Sequence, residues 1–302
     1  MNRNEKTGMI YVAIAGICWG IIGIFTRSLG TAGLDSIQIT FLRNFCAAAE
    51  LFLFLFIKDK RSLMINIKDI WMFVGTGICS VAFFNICYFR TIEMTTMSIA
   101  AILLYTAPCM VMIMSCIFFK ESITWQKVAA LLLAFTGCLF TTGVLQSESR
   151  ISGIGSLIGL GSGFGYALYS IFGTVATRKY NSFTITFYTL FLLASIGIGP
   201  FAHAGSLVSS ISHNMEIIVI SVLLATVSTV IPFICYTKGL KKMEAGKASI
   251  MAFIEPMIAT ICGILIFGEK FTLGNLTGVV LILASIIFLN TKMKIKGRAK
   301  HG

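Results

Sequence analysis

Charge is what this sequence has least of. Only 12% of its residues are Asp, Glu, Lys or Arg, about half the share found in soluble domains. A soluble chain of 302 residues that is 57% hydrophobic could not cover itself with so few. Histidine is nearly absent, with three copies at His203, His213 and His301, in stretches that read as a connection or a tail. That leaves no His–carboxylate or metal-ligating cluster of the kind a membrane enzyme acting on lipid-linked substrates would need. The nine cysteines form no C-x-x-C and all fall in apolar runs, which argues against a disulfide framework or a zinc site and for small apolar fillers. No G-x-x-x-x-G-K-[ST] loop occurs, and there is no room for a nucleotide-binding domain, so an ATP-driven pump is disfavoured. A long cytoplasmic domain, which would favour a sensor or scaffold, is missing as well.

What remains is apolar length. Mean hydropathy is +0.90, and uninterrupted apolar stretches recur at the ~20 residues needed to cross a bilayer. Ten spans are expected, near 9–29, 36–57, 70–89, 97–119, 125–144, 154–177, 183–202, 217–237, 248–267 and 272–291. The chain therefore reads as an all-α polytopic membrane protein of ten transmembrane helices with short connections. The first run has no small-x-small cleavage site and is too long for a signal peptide, so it is read as an uncleaved helix.

The net charge of +12 is sorted by side. Nineteen of the 24 basic residues fall at the N-terminus, in alternate connections and in the C-terminal tail, from Arg3 and Lys6 through Lys58, Arg61, Lys127, Lys179 and Lys241 to Lys300. By the positive-inside rule both termini are expected in the cytoplasm, in a multi-pass protein of the cell membrane. The basic surface then faces anionic lipid rather than nucleic acid.

The chain also repeats itself. Laying "DSIQITFLRNFCAA" (35–48) over "NSFTITFYTLFLLA" (181–194) matches six of fourteen positions. Laying 88–140 over 236–288, a shift of 148, sets Tyr88 on Tyr236, Pro108 on Pro256, Phe119 on Phe267, Glu121 on Glu269 and Thr124 on Thr272. Each copy holds five spans, an odd number, so the second must enter the membrane from the opposite face. Two inverted five-helix repeats are the expected organisation, the arrangement many secondary carriers use for alternating access.

The proline followed thirteen positions later by glutamate, in "APCMVMIMSCIFFKE" and "EPMIATICGILIFGE", resembles the drug/metabolite transporter superfamily, as do the ten spans, the basic tail and "ITFLRNF". The chain is similar to its ten-helix EamA-type branch. The resemblance covers nearly the whole chain as two tandem EamA-type repeats, 1–149 with the first five helices and 150–302 with the last five and the tail. It implies a carrier of amino acids, related metabolites or drugs, and export as the direction. An importer, facilitator or exchanger would have the same sequence features.

Glu255 and Pro256 stand where the chemistry is expected. Glu255 is the one charged residue between Ala248 and Phe267, about 10 Å from the basic end of its helix. Pro256 cannot donate to the carbonyl of Ala252, nor Pro108 to that of Leu104. Paired helix breaks mark a carrier's binding site, and a freed carbonyl beside a carboxylate can take a proton, an ammonium group or Na⁺. A carboxylate is costly to keep ionised there, which makes a proton the expected coupling ion, with no other cofactor. The competing role is a protonated brace in a kinked helix; Ala107 takes the same place in the first half.

Arg43 is the one basic residue well inside a span. Its fork suits a carboxylate or phosphate on the substrate, and its alternatives are snorkelling or a static pair. Glu50, seven residues on, faces the same way and lies near the depth of Glu255; the competing reading takes it to Lys58 or water. Trp19, Asn85, Tyr88, Tyr105, Tyr166, Tyr169 and Tyr236 are candidates for the wall of an organic-solute cavity, against ordinary helix packing. The glycines from Gly153 to Gly165 read as a helix-packing stripe. Glu121 and Glu269 are assigned to turns, with Thr124 and Thr272 as helix caps. A small-molecule substrate and the bilayer are the expected partners, and a homodimer is left open.

Overall fold

The computed structural model describes residues 3–146 and 153–291. Arg150, His301 and the basic tail lie outside the described residues. Ten apolar helices carry the fold: α1 (Arg3–Thr31), α2 (Ser36–Lys58), α3 (Ile67–Met94), α4 (Met97–Phe119), α5 (Trp125–Thr141), α6 (Gly153–Ala176), α7 (Ser182–Phe201), α8 (Met215–Leu240), α9 (Ala245–Phe267) and α10 (Leu273–Asn290). Among the described residues nine are long and apolar enough to cross a membrane, and α5, with 17 residues, is shorter. The protein is an all-α polytopic membrane protein. One connection expected to be irregular contains a further helix, Ala204–His213.

Local chemistry sets the helix starts in matched pairs. Asp35 accepts the N–H groups of Ile37 and Gln38 at 2.8 Å, while Gln38 accepts the Asp35 N–H at 3.1 Å, a capping box that opens α2. Its counterpart Asn181 accepts the Thr184 N–H at 2.9 Å and opens α7. Thr124 accepts the Lys127 N–H at 3.3 Å and Thr272 the Asn275 N–H at 3.1 Å, so both threonines cap as expected. Replacing Thr272 with Ala is expected to cost about 1 kcal/mol, read by denaturant unfolding in detergent.

Packing repeats across the halves. α1 lies on α8 as α6 lies on α3, and α1 meets α9 as α6 meets α4. The corresponding helices α5 and α10 pack directly on each other. They run antiparallel: Gln126 near the start of α5 donates to the Phe288 carbonyl at 2.6 Å, Ser285 donates to that of Ala130 at 2.6 Å, and Gly137 meets Gly278 farther along. α2 and α7 also meet antiparallel, Phe54 stacking on Phe183 and Phe52 tilting on Phe187.

Two helices widen to π geometry at corresponding places, α3 over Gly75–Ala82 and α8 over Thr226–Val230. Such wide turns leave carbonyls to side-chain donors. Asn85 donates to the Val81 carbonyl at 2.7 Å, and Thr229 to that of Leu224 at 3.2 Å. A third π segment, Leu193–Ile198, lies in α7 without a counterpart in α2.

Candidate functional site at the break of α9

The two proline motifs interrupt their helices. α9 consists of Ala245–Met251 and Ile254–Phe267, and α4 of Met97–Leu104 and Ala107–Phe119. Glu255 therefore occupies the first turn of a helix, where the unpaired N–H groups and the dipole favour a carboxylate. One expectation fails here. The Ala252 carbonyl is not left free by Pro256, because the chain tightens at the break and the Glu255 N–H donates to it at 2.9 Å.

The break is pressed against α1. A Cβ placed on Gly20 would lie 2.8 Å from the Glu255 carbonyl oxygen and 2.6 Å from Ile258 Cβ, so only a residue without a side chain permits this crossing.

Glu255 is half-buried, and its side chain is loosely held. The Tyr166 hydroxyl donates to Oε2 over a long 3.5 Å, and the Tyr105 hydroxyl also faces the carboxylate. Tyr88 and Cys138 lie within its electrostatic reach, as does Arg43. Packing orients the two tyrosines: Tyr166 meets the edge of Phe84 at 5.6 Å, and Tyr105 tilts on Phe253 at 5.9 Å. Arg43 is half-buried, its Nε is enclosed without a hydrogen-bond partner, and no carboxylate lies within ion-pair distance of it among the described residues. The site thus joins a carboxylate, a guanidinium and three phenols from α2, α3, α4, α6 and α9.

Other expected site residues are placed differently. Glu50 turns to α8, where Thr226 donates to Oε2 at 2.9 Å, and its other oxygen is enclosed without a partner among the described residues. It is not brought together with Glu255. Tyr169 and Tyr236 are buried between α6 and α8, with their hydroxyls on Thr237 (2.9 Å) and Ser170 (2.8 Å). Asn85 is committed to its own helix. Trp19 sits over this layer, 5.4 Å from Tyr236 and 5.6 Å edge-on to Phe233. Pro108 and Pro256 are both buried at the breaks. Cys138 and Gly20 were not among the expected site residues. The four-residue spacing of Gly16 and Gly20 on α1 carried a signal for the latter, whereas Cys138 looks like any apolar filler.

A bundle of paired helices with two interrupted ones meeting around a polar centre belongs to the class of membrane transporters. The profile of the EamA-like transporter family matches residues 6–143 and again 153–291. The chain belongs to the EamA-like transporter family, whose members are transporters, not enzymes. It is 29% identical over 293 residues to an uncharacterized transporter of Archaeoglobus fulgidus, covering 94% of this chain and 97% of that one. It is 24% identical to the uncharacterized transporter YxxF of Bacillus subtilis (99% and 93% covered). It is 23% identical to the uncharacterized inner membrane transporter YicL of Salmonella typhimurium (98% and 99% covered). A crystal structure of another protein superposes with a TM-score of 0.76 over 94% of this chain and 96% of its own, at 13% identity, a likeness of fold alone.

Proposed function

We propose that the protein is a secondary carrier in the cell membrane, exporting a small organic solute, such as an amino acid, a related metabolite or a drug, in exchange for protons. The observation that carries this reading is the half-buried Glu255 carboxylate at the break of α9, met by the Tyr166 hydroxyl only at a long 3.5 Å and lying in the field of the Arg43 guanidinium, which makes no ion pair among the described residues. A tightly bonded glutamate would serve as a brace; a loosely held one can release a proton and accept an ammonium group in turn. Arg43 suits the anionic end of a substrate and the phenols its body.

Alternating access is the proposed route. The halves 1–149 and 150–302 would form an inverted repeat that rocks about Glu255. The antiparallel run of α5 on α10 and the matched pairings of α1 with α8 and of α6 with α3 support it.

The test compares the metabolites of cells and medium on expressing wild type and Glu255→Gln at matched membrane abundance. The wild type is expected to move at least one organic solute between the two, and the variant to move it at least about tenfold less, the worth of one charge-assisted hydrogen bond. The sign of the shift gives the direction. Equal movement by both proteins would make Glu255 a brace, and no movement by either, with candidate solutes in proteoliposomes, would sink the carrier reading.

A further inference from the structure

The two glutamates at the α4–α5 and α9–α10 turns sit in the same local geometry and do different things. Lys120 and Gly268 both adopt left-handed backbone, φ 56° and 65°, and the next N–H donates back to the carbonyl of Ser115 (3.3 Å) or Gly263 (3.1 Å). Glu121 then reaches across to the other half. Its two oxygens accept the N–H groups of Ala245 at 2.8 Å and Gly246 at 3.1 Å, the first residues of α9. A chain of charges surrounds this contact. Lys127, 3% exposed, pairs with Glu244 at 2.9 Å and donates to the Ser122 carbonyl at 2.7 Å, while Lys247 pairs with Glu5 of α1 at 2.7 Å. A groove of about 510 Å³ lined by Glu5, Glu244 and Lys247 lies beside it.

At the opposite end the counterpart Glu269 does not reach α4. It pairs instead with Arg27 at 3.0 Å, on the surface, with both side chains more than half exposed. The positions corresponding to Ala245 and Gly246 are Met97 and Ser98. Ala245 is 1% exposed and Met97 68%. The first half of α9 packs on the second half of α4, and no packing of like extent joins the first half of α4 to the second half of α9. One end of the bundle is latched and the other is open.

We infer that Glu121 and Glu269 are alternating latches. Glu121 holds the start of α9 while the end bearing Lys127 and Lys247 is closed. When that end opens, Glu269 leaves Arg27 and takes the N–H groups of Met97 and Ser98 at the start of α4. Each glutamate thereby fixes the free end of a half-helix whose other end is one of the two breaks. The inference rests on the alternating-access reading.

Amide hydrogen exchange of the full chain in lipid nanodiscs tests it. In the wild type, the amides of 245–251 are expected to exchange slowly and those of 97–104 faster. Glu121→Gln removes the charge that holds two N–H groups, and should speed exchange at 245–251 by about tenfold while slowing it at 97–104. Arg27→Ala, a surface change that frees Glu269, should move both segments in the same directions even where Glu121→Gln folds poorly. Faster exchange at 245–251 with no slowing at 97–104, in either folded variant, makes Glu121 a local cap and overturns the exchange of latches. Such a result beside a wild-type solute shift leaves the carrier reading standing. Reciprocal exchange without any solute shift keeps the latches and removes the carrier.

Discussion

Replacing Gly278 with leucine is expected to prevent the two halves from joining. A Cβ at that position would lie 2.6 Å from the Gly137 carbonyl oxygen and 2.6 Å from Thr141 Cγ2, and one at Gly137 would lie 2.8 Å from the Gly278 carbonyl oxygen. Both obstacles include backbone, which cannot turn aside as a side-chain end can. Over-filling a packed interface costs about 1–3 kcal/mol where neighbours can shift, and more where they cannot. Separating the helices would also stretch the Ser285 and Gln126 bonds that clasp α10 to α5, Gln126 reaching the Thr291 carbonyl at 2.7 Å as well as that of Phe288. The measurement is the yield of monodisperse protein extracted in mild detergent, expected to fall at least about tenfold, as a loss of ~1.4 kcal/mol or more implies. Wild-type yield and melting temperature for the leucine variant would mean that the helices do not cross this closely.

The scaffold was more legible in the sequence than the site was. Apolar run length gave the ten helices because hydrocarbon thickness sets that length directly. Local residues read well for the same reason of short range: Thr124 and Thr272 cap the helices they precede, and the bond each makes spans three residues. What failed was long-range or conformational. The bond from Glu121 to Ala245 spans 124 residues, so the glutamate looked like part of a turn. α1 is already helical ahead of the apolar run that starts near residue 9, and within that extension Glu5 pairs with Lys247 from the far half of the chain. The π segments of α3 and α8 carry no composition signal, and the tightened break that re-engages the Ala252 carbonyl depends on how the half-helices meet, not on Pro256 alone. Glu255 and Arg43 could be singled out as costly in a membrane, but which tyrosines would face them could not. Tyr166 faces the carboxylate and Tyr169, three residues on, is locked onto Thr237.

Arg43→Met is expected to separate stability from transport. A guanidinium inside a membrane bundle is expensive unless something offsets its desolvation, and here Nε is enclosed with no partner. Truncating one member of a satisfied buried ion pair leaves a stranded charge and costs about 3–5 kcal/mol. Arg43 has no such pair among the described residues, and Glu255 is within its field but beyond ion-pair distance. Methionine keeps the apolar stem and removes only the unpaired head. The melting temperature in detergent should therefore hold or rise, a gain of stability where a functional group had imposed a cost. Transport should fall in the opposite sense. If the guanidinium holds the anionic end of the solute, its loss removes a charge-assisted hydrogen bond worth ~2 kcal/mol, and the KM for the solute moved by the wild type should rise about thirtyfold. Arg43→Lys should recover the charge but not the fork, and fall between the two. A large drop in melting temperature with an unchanged KM would make Arg43 a structural cation that pairs in another conformation. The pairing of a stable fold with a lost affinity is the outcome expected of a substrate-binding arginine.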